Sequence, residues 1–72
     1  MIIHVVLEQT PLGDWGAFTP DDIGSVIVTG KTRDEAVNNF RSALRFHLDG
    51  MREEGRDVPE VTSLELRETV AA

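Results

Sequence analysis

The chain contains no cysteine and no tyrosine, one tryptophan and three proline residues. Without cysteine there is no disulfide staple, no thiol nucleophile and no thiolate-ligated zinc. No apolar run approaches the roughly 18 residues that a membrane-spanning helix needs. The opening Met1-Ile2-Ile3-His4-Val5-Val6-Leu7 has neither a basic leader nor a small-residue cleavage site, so it reads as a strand rather than a signal peptide. A cytoplasmic location is the expectation. Basic residues are also scarce: seven against thirteen acidic ones, for a formal charge of -6. A field of that sign repels phosphate and makes direct nucleic-acid binding unfavourable, whereas it suits a basic protein partner.

At 72 residues the chain is read as one domain spanning 1–72. Domains of this size bury only about 60% of their unfolded surface. With no covalent staple, a second chain is the expected source of further stability, as a dimer or tetramer.

The strongest local signal runs from Thr32 to Glu54. Thr32-Arg33-Asp34-Glu35 is a capping box: the Thr32 hydroxyl accepts from the Glu35 N–H, and the Glu35 carboxylate is expected to accept from the Thr32 N–H. Val37, Phe40, Leu44, Leu48 and Met51 then recur at three- and four-residue steps, flanked by Ala36, Ala43 and His47. Arg33, Asn38, Arg41, Arg45, Asp49 and Arg52 occupy the other side, and Gly55 supplies a left-handed stop.

Around this helix the pattern is β. Residues 2–9 are rich in β-branched side chains. Ile3, Val5 and Leu7 share one face; Ile2, His4, Val6 and Glu8 share the other. Both faces are largely apolar, so this strand belongs inside a sheet, covered twice. The helix can cover one face, and a second copy is expected on Ile2, His4 and Val6. Thr10-Pro11-Leu12-Gly13-Asp14 is turn chemistry. Residues 15–19 form a second strand, with Trp15, Ala17 and Thr19 on one face and Phe18, expected in the core, on the reverse. Pro20-Asp21-Asp22-Ile23-Gly24 is a loop, and 25–29 a third strand. After Gly55 a short connector containing Pro59 leads to a last strand, in which Thr62, Leu64, Leu66, Glu68 and Val70 alternate with Ser63, Glu65, Arg67 and Thr69.

The order is β-β-β-α-β, an α+β fold. Short loops make the first three strands an antiparallel meander, and the helix is a crossover, right-handed by default. Placing the last strand parallel to the first gives a four-stranded mixed sheet of order 3-2-1-4, with the doubly apolar strand inside.

Chemistry-bearing clusters are sparse. His4 and His47 stand in different elements with no metal-ligand spacing, so no metal or cofactor is expected. Glu8, Asp14, Asp21 and Asp22 read as solvated turn carboxylates rather than a metal-binding cluster. No Gly-rich phosphate loop or Ser/His/Asp arrangement is present, and no enzymatic activity is expected. Trp15, taken with the acidic residues Asp14, Asp21 and Asp22 and with Ile23, offers an aromatic anchor beside a charged rim, suited to a basic partner.

These elements together resemble the HicB-like antitoxin family over nearly the whole chain. The resemblance is carried by Gly13-Asp14-Trp15, Pro20-Asp21-Asp22-Ile23-Gly24-Ser25, Thr32-Arg33-Asp34-Glu35-Ala36, Glu53-Glu54-Gly55 and Val58-Pro59. Asp22, Ile23 and Ser25 stand where the family more often has Leu, Pro and Cys. The resemblance implies a partial ribonuclease-H-like fold without the nuclease carboxylates. It also implies a partner: a small basic mRNA-cleaving toxin of the HicA-like kind, whose surface the antitoxin blocks. Many family members carry a C-terminal DNA-binding domain, and none is expected within 1–72. The other reading is an orphan homo-oligomer with a structural or binding role and no toxin.

Overall fold

The computed structural model describes residues 2–19, 26–58 and 60–70. Five elements follow in the order β1 (Ile2–Gln9), β2 (Trp15–Phe18), β3 (Ile27–Gly30), α1 (Arg33–Glu53) and β4 (Ser63–Val70). They form one four-stranded sheet of order β3-β2-β1-β4 with the helix against it. β1 pairs antiparallel with β2 and parallel with β4, and β2 pairs antiparallel with β3. This is the expected α+β arrangement, with β1 in the interior of the sheet.

The two hairpins are closed by backbone bonds. Thr10 N–H donates to Asp14 O at 2.8 Å and Gly13 N–H to Thr10 O at 2.9 Å. Gly13 takes φ +96°, a conformation in which a β-carbon is strained. Thr19 N–H donates to Val26 O at 3.2 Å, closing the second hairpin.

The helix begins as its capping residues dictate. Thr32 is extended (φ -127°, ψ 164°) and its Oγ1 accepts from Glu35 N–H at 3.1 Å. The return half of the box differs from expectation: the Glu35 carboxylate accepts from Lys31 N–H, at 3.3 Å, one residue further out. Asp34 and Glu35 place negative charge in the first turn, where the helix dipole favours it. At the other end Gly55 (φ +75°) donates to Arg52 O at 3.1 Å and Arg56 N–H to Met51 O at 3.0 Å. That pair of bonds is a Schellman stop.

The core lies between the helix and one face of the sheet. Ile3, Val5, Leu7, Ala17 and Val26 meet Ala36, Val37, Phe40 and Leu44 in a single buried cluster. Phe40 and Leu7 are fully buried. Trp15, Val28, Leu48, Val61, Leu64 and Leu66 pack at its margin. The helix is held closest at its start. A β-carbon on Gly30 would stand 2.5 Å from the Ala36 nitrogen, so only glycine lets β3 come this near.

Candidate partner-binding surfaces

Strand alternation sorts the sheet into a covered face and an open one. Ile3, Val5 and Leu7 turn to the helix, so Ile2, His4, Val6 and Glu8 turn away. Ile2 is 51% exposed, His4 is exposed and Val6 is half-buried. The second apolar face of β1 is therefore uncovered among the described residues. Register extends it sideways. Val6 lies opposite Phe18, and Phe18 opposite Ile27, which is 72% exposed. On the other side Val6 is opposite Arg67. An apolar row of Ile27, Phe18 and Val6 thus crosses three strands and ends at a cation. Around it stand Thr29, Glu8, Ser63, Glu65 and Thr69. His4 Nδ1 is 3.8 Å from a Glu65 carboxylate oxygen, within ion-pair reach when the imidazole is protonated.

Phe18 therefore belongs to the open face, not to the core. Trp15 takes the other side. It lies opposite Gln9 and Gly30 and packs half-buried against the core cluster. Its surroundings form a shallow crevice of about 390 Å³ lined by Thr10, Asp14, Gly16, Thr29, Gly30, Lys31 and Glu35. Asp14 is exposed at its mouth. Trp15 is a ring fixed by packing, with a rim that carries both signs of charge.

Asp21, Asp22 and Ile23 lie outside the described residues. Their points of attachment are nonetheless placed. Thr19 and Val26 close the β2–β3 hairpin at the end away from Trp15. The four steps from Trp15 to Thr19 span about 13 Å at the strand rise. Whether the 20–24 segment reaches Trp15 lies outside the described residues.

Among the described residues no cluster of histidine and carboxylate side chains has metal-binding geometry. Glu8 is exposed on the open face and Asp14 is exposed in the β1–β2 turn. His47 is half-buried on the helix. Among the described residues no helix is long and apolar enough to cross a membrane.

Two features were not singled out from the sequence. Phe46 is 82% exposed on the outer side of α1. Its place two residues past Leu44 puts it well off the buried stripe, which the helical spacing could have shown. The second is a groove of about 390 Å³ between α1 and the start of β4, floored by Leu44, Leu48, Val61 and Leu64 and rimmed by Arg41, Arg45, Asp49 and Arg52. Arg52 donates to Asp49 at 3.1 Å, and Arg41 and Arg45 make no ion pair among the described residues.

Comparison with curated proteins and with solved structures gave no match. A protein-family model does match, across residues 3–71: the HicB-like antitoxin of bacterial toxin-antitoxin systems. That span takes in the helix and all of the strands but Ile2, and it includes the Gly13-Asp14-Trp15 turn, the helix cap and the Gly55 stop. The chain belongs to the HicB-like antitoxin family.

Proposed function

We propose that this protein is the antitoxin of a toxin-antitoxin pair and acts by covering a small basic mRNA-cleaving toxin of the HicA-like kind. The observation that carries the reading is the family match over residues 3–71. The charge of -6 supports it, since a basic ribonuclease is steered toward an acidic surface. The contact uses Asp14 and Trp15, together with Asp21, Asp22 and Ile23. Trp15 suits this role because its ring is already held by the core and loses little freedom on binding. No chemistry is done by the antitoxin itself. It works in the cytoplasm with a partial ribonuclease-H-like fold, and it does not touch nucleic acid directly.

The open face takes a second copy. Ile2 and Val6, together with Phe18 and Ile27, are apolar surface of a kind that is usually buried when contiguous, and His4 stands among them. The same uncovered face favours one other reading, an orphan homo-oligomer without a toxin.

Co-purification with the small basic protein encoded beside it, followed by an RNA-cleavage assay, tests the proposal. Stoichiometric addition is expected to stop cleavage by that protein, and the paired change Asp14→Lys with Trp15→Ala to weaken inhibition by about tenfold or more. No basic protein retained, or cleavage unaffected by a stoichiometric excess, supports the orphan reading instead. Cleavage of RNA by this chain alone with Mg²⁺ would overturn the non-enzymatic assignment.

A further inference from the structure

The two edges of the sheet are not alike. The β3 edge is four residues long, and its Thr29 carbonyl accepts from Asn39 Nδ2 at 2.9 Å, so the helix caps it. The β4 edge is eight residues long and pairs on its inner side with β1. Its span Ser63–Val70 contains no proline and no lysine, the residues that most often guard an edge. One charge does point to the helix side of β4, Glu68, but Arg33 Nε donates to it within the same chain and neutralises it. The helix backbone approaches β3, β2 and β1 but not β4. Leu64 and Leu66 are left half-buried, and Leu64 lines the open groove beside α1.

We infer that the outer edge of β4 pairs with the β4 edge of a second copy, antiparallel about a two-fold axis through Leu66, to give a continuous eight-stranded sheet. The sequence of the edge selects both the occupant and the register. An antiparallel pairing of identical strands has its axis perpendicular to the sheet, so opposed residues must point to the same face. Only registers centred on a residue meet that condition. Centring on Leu66 sets Glu65 opposite Arg67 of the second copy, and Arg67 opposite its Glu65, on the open face. Ser63 then opposes Thr69, and on the helix face Leu66 opposes its own counterpart. Centring on Glu65, Arg67 or Glu68 places like charges directly opposite each other, which is unfavourable. Centring on Leu64 brings Glu68 against Glu60 and shortens the overlap. The register through Leu66 pairs residues 63–69 of the two strands, sets Leu64 opposite Glu68 on the helix face, and is the one that opposes opposite charges without opposing like ones.

This inference does not depend on the toxin, and it concerns a different surface from the apolar open face. The test is a charge-swap cycle read by sedimentation or light-scattering mass at micromolar concentration, with helical circular dichroism to confirm folding. Glu65→Arg alone, and Arg67→Glu alone, each create two like-charge oppositions and are expected to weaken the dimer by roughly tenfold or more. The double variant, Glu65→Arg with Arg67→Glu, regenerates both pairs and is expected to restore it. A Val6→Lys variant interferes with stacking on the open face and is expected to leave this edge dimer intact, which separates the two interfaces. Should a charge variant fold poorly, Leu66→Cys in this otherwise cysteine-free chain is expected to give a disulfide-linked dimer under mild oxidation, while Leu12→Cys, at a 91% exposed turn position outside both interfaces, does not. A monomeric unsubstituted chain, single variants that retain the dimer, a double variant that fails to restore it, or no Leu66→Cys cross-link would each overturn the inference.

Discussion

β1 carries two apolar faces with opposite fates. Ile3, Val5 and Leu7 are at most 1% exposed, sealed by Phe40 and its neighbours. Ile2 and Val6, equally apolar and one residue away, have no cover among the described residues. The difference teaches that apolar composition states how much surface must leave water, while the fold decides how much of it the chain covers by itself. With one helix there is one cover. The remaining face is where a second polypeptide brings stability, at roughly 25 cal/mol per Å² of apolar area removed from water.

Substitutions on the two faces separate these roles. Phe40→Ala empties the centre of the covered face and is expected to cost about 3–5 kcal/mol, a large part of the total for so small a domain, at every protein concentration. Chemical denaturation measures it. Gly30→Ala pushes a methyl into the Ala36 backbone and is expected to cost about 1–3 kcal/mol by the same measurement, since backbone rather than a flexible side chain must give way. Phe18→Ala, the same chemical change as at Phe40 but on the open face, is expected to cost only about 1 kcal/mol in dilute solution, with a larger loss when the protein is concentrated enough to self-associate. Equal costs for Phe18→Ala and Phe40→Ala under dilute conditions would erase the distinction between the faces. Thr32→Ala removes the acceptor for Glu35 N–H and is expected to cost about 1 kcal/mol, visible as reduced helical circular dichroism near the melting midpoint. Arg33→Gln breaks an exposed ion pair to Glu68 and should change stability by less than about 1 kcal/mol.

Much of this architecture is legible in the residues because local signals agree with one another. The capping box and the Val37-Phe40-Leu44 stripe define the helix, and Gly55 ends it. The double apolarity of β1 requires an interior position, which fixes the 3-2-1-4 order. The orientation of β2 is less legible. Trp15-Gly16-Ala17-Phe18 has a large ring on each face, so alternation alone offers no preference between them. Pairing decides it: Ala17 opposite Leu7 and Trp15 opposite Gln9 turn the tryptophan to the helix and Phe18 away. Of the candidate contact residues, Asp14 and Trp15 are described, and Asp21, Asp22 and Ile23 lie outside the described residues. Self-complementarity of the β4 edge emerges only once β4 is placed at the end of the sheet, with no strand beyond it among the described residues.

The account holds that surface left uncovered within one chain is covered by another. Thermal unfolding of the unsubstituted protein over a hundredfold range of concentration tests this most directly. Mass action predicts that the midpoint rises steadily with concentration, because association holds only the folded form. A midpoint that stays constant across that range, with a monomeric mass throughout, would contradict it.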